Sequence, residues 1–401
     1  MQAKSMDIAI VGGGIVGLST AYKLQLDFPK LKILVVEKET ELAFHQTGRN
    51  SGVLHSGLYY KPNSLKAKNC VNGRKQLVDF AKENQIKHDV CGKLVVATNS
   101  KQANRLKYLK SNGEDNSLSG LEILNPNEFN SIEPYVNGVS ALWVPQTGII
   151  DYKGVTNKLA DKILSINKKS KIITSCRVMD YNKEGLQTNI GDFSVKHIIF
   201  CGGLFADRLA IKESLDLDIR IIGFRGDYYK LACHAINKIN NLVYPVPDSR
   251  FPFLGVHFTR MVDGEIECGP NAVFTFKREG YKKTDFNFKD TLDALSFIGT
   301  SKLFIKNWKF GLNEYARSFS KYLFLKELQK ILPSLSISDI VEHRSGVRAI
   351  ALNKDGSIVD DFKIMKTKRN IHVLNAPSPA ATACLAIGDH LVKEAKIHFN
   401  L

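Results

Sequence analysis

The chain has 401 residues, 56 Lys+Arg against 40 Asp+Glu, and a formal net charge of +16. The length predicts two or three domains' worth of core, and 44% apolar with 24% charged residues is globular composition, not disorder. No apolar run reaches about 20 residues, so a spanning helix is excluded; the positive excess points to an acidic substrate, an anionic cofactor, a membrane surface or nucleic acid.

The segment ahead of residue 7 is too short for a signal or transit peptide, which favours a cytoplasmic protein. A strand is expected over 7–11, then Gly12-Gly-Gly-Ile-Val-Gly17, a helix through 24, and a second strand over 31–36 ending at Glu37. This is a βαβ unit. Gly12, Gly14 and Gly17 fit GxGxxG: one for a tight turn, one for backbone approach to a pyrophosphate, one for close helix packing. Glu37 stands where a carboxylate accepts from ribose hydroxyls and repels a 2′-phosphate, so NADP is disfavoured.

Residues 40–73 read as structured loop, with a helix over 65–82. Short strands and a polar helix over 101–111 fill 90–150. A helix is expected over 154–170, and strands over 171–180 and 194–201, the latter ending in Cys201-Gly202-Gly203. Strand-like runs broken by Pro and Gly occupy 220–276, and 287–332 reads as helical. The tail predicts a strand over 371–375, a Pro377-Ser-Pro turn and a helix over 380–394. The pattern is α/β: a Rossmann-like nucleotide-binding domain from 1–85, 145–215 and 335–401, with an inserted substrate domain of antiparallel β-sheet plus helices from 86–144 and 216–334. The second strand-to-Gly element at 198–203 favours FAD over NAD. No second GxGxxG exists for a nicotinamide, so electrons leave by another acceptor. Seven scattered cysteines without CxxC and ten histidines without HExxH give no expectation of a disulfide framework or a metal.

The loop His45-Gln-Thr-Gly-Arg-Asn-Ser-Gly-Val-Leu-His-Ser-Gly-Leu-Tyr-Tyr60, dense in Gly, Asn, Ser and His, can set backbone N–H groups and hydroxyls against a flat polar ring. With Gly12–Gly17 it resembles the D-amino-acid-oxidase-like FAD-dependent oxidoreductases, and within them the L-2-hydroxyglutarate dehydrogenase/oxidase group. Phe224-Arg-Gly-Asp-Tyr228, the stretch from Tyr244 to Arg260, Gly269 to Tyr281, and Asn375-Ala-Pro-Ser-Pro-Ala-Ala-Thr382 carry the same resemblance, which covers essentially the whole chain. It implies FAD-dependent oxidation of L-2-hydroxyglutarate to 2-oxoglutarate. Electrons would pass to a quinone-type acceptor or O2, in a bacterial cytoplasmic protein with peripheral contact at the inner membrane face as a possibility.

The cofactor-contacting set expected on this basis is Gly12, Gly14, Ile15, Val16, Gly17, Glu37, Lys38, Thr47, Asn50, Ser51, Gly52, Val178, Cys201, Gly202, Gly203, Gly346, Arg348, Pro379, Ala380, Ala381 and Thr382. The turn at 377–382 opens a helix whose free N–H groups favour negative charge on reduced flavin. Oxidising a 2-hydroxy dicarboxylate needs a base near neutrality and cations for two carboxylates. His55 and His257 are the candidate bases, with no choice between them; His45 reads as a flavin contact or a loop brace. Arg225, Arg260 and Arg348 are the candidate cations, because guanidinium forks match carboxylates. Tyr60 and Tyr228 are candidate hydroxyl donors. The basic helical run over 301–332 either packs its apolar face on the protein, the preferred reading, or lies on anionic lipid. Competing functions are an amino-acid or glycerol-3-phosphate oxidising flavoprotein of the same fold, and a non-catalytic nucleotide-binding partner of nucleic acid. The last has only net charge in its favour, and no nucleic-acid partner is expected.

Overall fold

A computed structural model describes residues 5–247 and 255–401. Part of the stretch from Tyr244 to Arg260, namely 248–254, therefore lies outside the described residues.

In the strand Met6–Val11 residues 8–11 are an unbroken apolar run, and such a run is stable only when both its faces are covered. It pairs in parallel with Ile33–Val36 on one side and with Gly191–Phe200 on the other. Lys171–Ile173 and Asn370–Asn375 extend the parallel sheet outward. Lys363–Lys366 closes one edge antiparallel, and a hairpin of Val178–Asn182 and Gly185–Thr188 pairs with the start of Gly191–Phe200. Helices Ile15–Asp27, Leu65–Glu83, Tyr152–Ile166 and Cys384–Phe399 cover one face, burying Leu18, Leu77, Val155 and Leu391 against Ile8, Ile10, Ile33 and Ile371.

Among the described residues the second sheet has nine strands. Val273–Phe274, Ile219–Leu231, Ile266–Gly269, His257–Arg260, Leu242–Pro245, Lys93–Ala97, Ser140–Val144 and Glu122–Leu124 follow in order, with Ile340–Asn353 also on Ile219–Leu231. All its neighbours are antiparallel except Lys93–Ala97 and Leu242–Pro245. Lys321–Gln329 packs Phe324 and Leu328 into the core with Tyr229 and Phe258.

One boundary differs from the sequence expectation. Residues from 335 onward were assigned to the nucleotide domain, yet Ile340–Asn353 pairs along its length with Ile219–Leu231. Val347, Ala351 and Leu352 are buried along it, as suits a strand packed into that sheet. The chain returns to the first sheet only at Lys363–Lys366. The final helix begins at Cys384, not at 380; in the turn before it the Thr382 hydroxyl donates to the Val53 carbonyl.

The helical run after 287 resolves into Phe288–Leu295, Ile298–Phe319 and Lys321–Gln329, with Asn287 and Ser320 capping the first and third. Ile298–Phe319 kinks at Asn307, whose side-chain amide donates back to the Leu303 carbonyl. Leu303 and Phe304 pack on the protein. Ile305, Trp308 and Leu312 do not: they are 75%, 57% and 60% exposed, so the packed reading holds for only part of this helix. Among the described residues no helix is long and apolar enough to cross a membrane.

Candidate active site

The glycine turn is built so that no side chain can fill it. Gly12 has φ +119°, and a Cβ there would stand 2.3 Å from the Cys201 carbonyl oxygen. A Cβ on Gly17 would meet the Gly12 oxygen at 2.1 Å, so helix and strand approach as the motif requires. Glu37 accepts from the Gly13 N–H (2.7 Å) and the Glu39 N–H (3.0 Å), one on each carboxylate oxygen. Each oxygen keeps a lone pair. Thr47 Oγ1 accepts from the Ile15 N–H (3.0 Å) and ties the loop to the helix start. Asn50 donates to the Thr47 carbonyl and accepts from the Gly52 N–H, shaping the next turn. Cys201 N–H donates to Val11, and Gly202–Gly203 lead into a short 3-10 turn. Val178 packs in the cluster around Phe200; two residues earlier, Cys176 N–H reaches the Glu37 carbonyl.

The loop's second half faces the nine-stranded sheet. Thr382 Oγ1 accepts from the His55 N–H (3.1 Å) and shares a hydrogen bond with the Tyr152 hydroxyl (2.8 Å). Tyr60 hydrogen-bonds Ser378 in the same turn. The His55 ring has no hydrogen-bond partner among the described residues. It is partly open to solvent, yet burial and the nearby Lys93 push its pKa down to about 3. His257 stacks on Tyr244 at 3.9 Å between centroids. Its Nδ1–H donates to the Gly255 carbonyl (2.7 Å), which leaves the Nε2 lone pair free in the neutral ring. Burial, with Arg348 and Lys93 adding, puts its pKa at about 3 although the Gly255 bond opposes the shift. Burial raises the Tyr228 and Tyr60 hydroxyl pKa values, so both remain donors. Arg344 pairs through Nε with buried Glu267 (2.5 Å), and its other nitrogens donate to the Gly48 and Asn50 carbonyls. Gly346 fits directly under Arg49, where a Cβ would lie 2.3 Å from the carbonyl oxygen. The strand from Arg344 to Arg348 is thus stitched to the cofactor loop.

The FAD dependent oxidoreductase family profile matches residues 7–394. The chain belongs to this family. Over 386 residues it is 47% identical to an L-2-hydroxyglutarate dehydrogenase of Indibacter alkaliphilus, covering 95% of this chain and 96% of that one. Over 395 residues it is 42% identical to an L-2-hydroxyglutarate dehydrogenase of Escherichia coli, covering 97% and 93%. Among solved structures it is similar to L-α-glycerophosphate oxidase from Mycoplasma pneumoniae with FAD bound, at TM-score 0.79 and 26% identity over 99% of this chain and 95% of that one.

As a member of the FAD-dependent oxidoreductases the chain takes FAD, and the cradle fits it: glycines that admit no Cβ, a helix start, and Glu37 at the strand end. Two expected substrate cations are committed elsewhere. Arg225 gives Nε to Asp227 (2.7 Å) and its other nitrogens to the Lys282 carbonyl and Ser318. Arg260, three residues past His257 on one strand, points to the opposite face and pairs with Asp89 near the surface. Lys38 is held by Glu39 (2.5 Å), Glu279 (2.6 Å) and His45 (3.0 Å), and His45 also meets the Tyr281 hydroxyl, so His45 braces this loop. Arg348 alone of the three arginines acts on His257 and Tyr228. Sequence reasoning passed over Lys93. Its one signal was a lysine opening the apolar run Leu94-Val-Val-Ala97.

Proposed function

We propose that this chain oxidises L-2-hydroxyglutarate to 2-oxoglutarate. The observation that carries this reading is two neutral imidazoles at the cofactor turn: buried His257, stacked on Tyr244 with Nε2 free, and the uncommitted His55 ring, tied to the turn through Thr382. The relatives named L-2-hydroxyglutarate dehydrogenase support it. FAD, when bound, supplies the two-electron oxidation chemistry. The protein's tasks are to hold the 2-hydroxy acid and to take its hydroxyl proton while the α-hydrogen leaves with the bonding electrons. His55 is the proton acceptor: its ring is neutral and uncommitted, and an anionic substrate beside it offsets the burial and the Lys93 charge that hold its pKa below the near-neutral value expected from the sequence. His257, with its tautomer fixed by Gly255, orients the hydroxyl through Nε2. Arg348 holds the carboxylate beside the reacting carbon.

Electrons leave to a quinone-type acceptor or O2. The exposed Ile305–Trp308–Leu312 face, flanked by Lys302, Lys306 and Lys309, supports peripheral contact with an anionic bilayer. Sedimentation with phosphatidylglycerol vesicles is expected to carry the protein down, and Trp308→Glu with Ile305→Glu is expected to leave it in solution. Equal sedimentation of both would remove the membrane contact.

The holoenzyme is expected to lose its yellow colour anaerobically with L-2-hydroxyglutarate. His55→Asn is expected to slow that bleaching about 10²–10⁴-fold. Bleaching by glycerol 3-phosphate or an amino acid, and not by L-2-hydroxyglutarate, overturns the substrate assignment.

A further inference from the structure

We propose that Lys93 reads the distal carboxylate of the substrate and so makes the enzyme select dicarboxylic over monocarboxylic 2-hydroxy acids. The inference rests on the substrate reading above and adds a residue and a specificity to it.

Lys93 is 1% exposed, although lysine is rarely buried without a partner. It opens an inner strand of the nine-stranded sheet, between Val144 on one side and Leu242 on the other. Gly92 before it has φ +84° and lies against the Trp143 ring, which a Cβ would approach to 2.1 Å. The backbone is therefore pinned, and the ammonium cannot reach open water by sliding along a sheet edge. Nζ stands over the rings of Tyr59 (4.5 Å) and Tyr244 (5.0 Å). Ring faces offset only part of the desolvation of an ammonium. No carboxylate among the described residues pairs with it. Beside it the Tyr59 hydroxyl is buried with no hydrogen-bond partner. An unpaired cation next to an orphaned hydroxyl is the equipment for one anionic group.

The position of this equipment decides which carboxylate it takes. Lys93 acts on both His55 and His257. Arg348 acts on His257 from the strand stitched to the cofactor loop. Lys93 adjoins His257 through one ring: Tyr244, which Nζ overlies, stacks on the His257 imidazole at 3.9 Å. A five-carbon diacid whose reacting carbon lies at the imidazoles thus sets one carboxylate toward Arg348, on the cofactor side, and the other toward Lys93. The titratable groups facing the ammonium are His55, His257, Cys70, Tyr59 and Tyr244. Burial lowers the Lys93 pKa to about 7, and the Cys70 thiol opposes that shift. An anion binding there draws a proton onto Nζ.

The test compares L-2-hydroxyglutarate with L-2-hydroxypentanoate, in which a methyl replaces the distal carboxylate. In anaerobic reduction of the holoenzyme, Lys93→Met is expected to lower kcat/KM for the diacid at least about 30-fold. For the monoacid it is expected to stay within about threefold, and Lys93→Arg is expected to keep the diacid preference. Binding is read separately, from the flavin absorbance change on titration with glutarate. Glutarate affinity is expected to fall above about pH 7 in the wild type and to stay level in Lys93→Arg. FAD content and melting temperature report folding, and Lys93→Arg carries the test if Lys93→Met does not fold. Equal losses on both substrates, or an unchanged preference, overturn the Lys93 assignment. A wild type that L-2-hydroxyglutarate does not reduce overturns the substrate reading, and the Lys93 assignment falls with it.

Discussion

His55 and His257 keep their protons off down to about pH 3, whereas an unfolded chain protonates such rings near 6.5. Between these values the unfolded state binds more protons, so stability rises with pH across that window and is lost as pH falls through it. The melting temperature is expected to drop steadily below about pH 6.5, and His257→Gln is expected to flatten that slope. An unchanged slope would mean that this ring already titrates normally. Not every residue here was equally legible. Gly12, Gly17 and Glu37 act within one βαβ unit, and local spacing suffices to find them. Arg225 has a partner that its sequence shows in plain view: Asp227 is two residues on, and alternate strand residues share a face. Arg260 shows the converse: an odd spacing from His257 sends it to the other face, where it pairs with Asp89. Lys93 was not legible, because its surroundings come from Tyr59 and Tyr244, far away in the chain.

The strand Ile340–Asn353 does more for the site than any other single element. It belongs to the substrate sheet by pairing and to the cofactor loop by side chains and close backbone approach. Gly346→Ala is expected to force the loop around Arg49 outward, costing roughly 1–3 kcal/mol as overpacking does. Thr47 and Asn50 move with that loop, so bound FAD per chain should fall together with the melting temperature. Retention of both would show that the seam has slack. The regular elements were legible because their apolar runs are continuous, as at residues 8–11 of the first strand. The sheet that receives Ile340–Asn353 was not, because strand pairing is a long-range property and neighbouring sequence pointed to the nucleotide domain. The kinked helix Ile298–Phe319 lay between these cases: its amphipathic pattern was clear, and its outward-facing side was not.

At the scale of the whole molecule the +16 charge is a field and not a site. A positive field draws dianions in from beyond contact distance. Raising ionic strength from about 0.01 M to about 1 M shortens the screening length from about 30 Å to about 3 Å. Such a change is expected to lower kcat/KM for the dicarboxylate more than for its monocarboxylate analogue, with kcat nearly constant. Equal sensitivity would assign the excess charge to solubility or surface contact. The order of the chain around the first sheet has a separate consequence. Helix Ile15–Asp27, which leaves the ribosome early, packs heavily against Cys384–Phe399, which leaves it far later. Gly388 and Ser19 approach closely across that contact. The nucleotide cradle therefore waits for Cys384–Phe399 to be synthesised, and the shared core around Leu18 and Ala21 is incomplete meanwhile. Cofactor capture becomes a late event in the birth of this protein, and nascent chains spend that interval in the care of whatever shields exposed apolar helices.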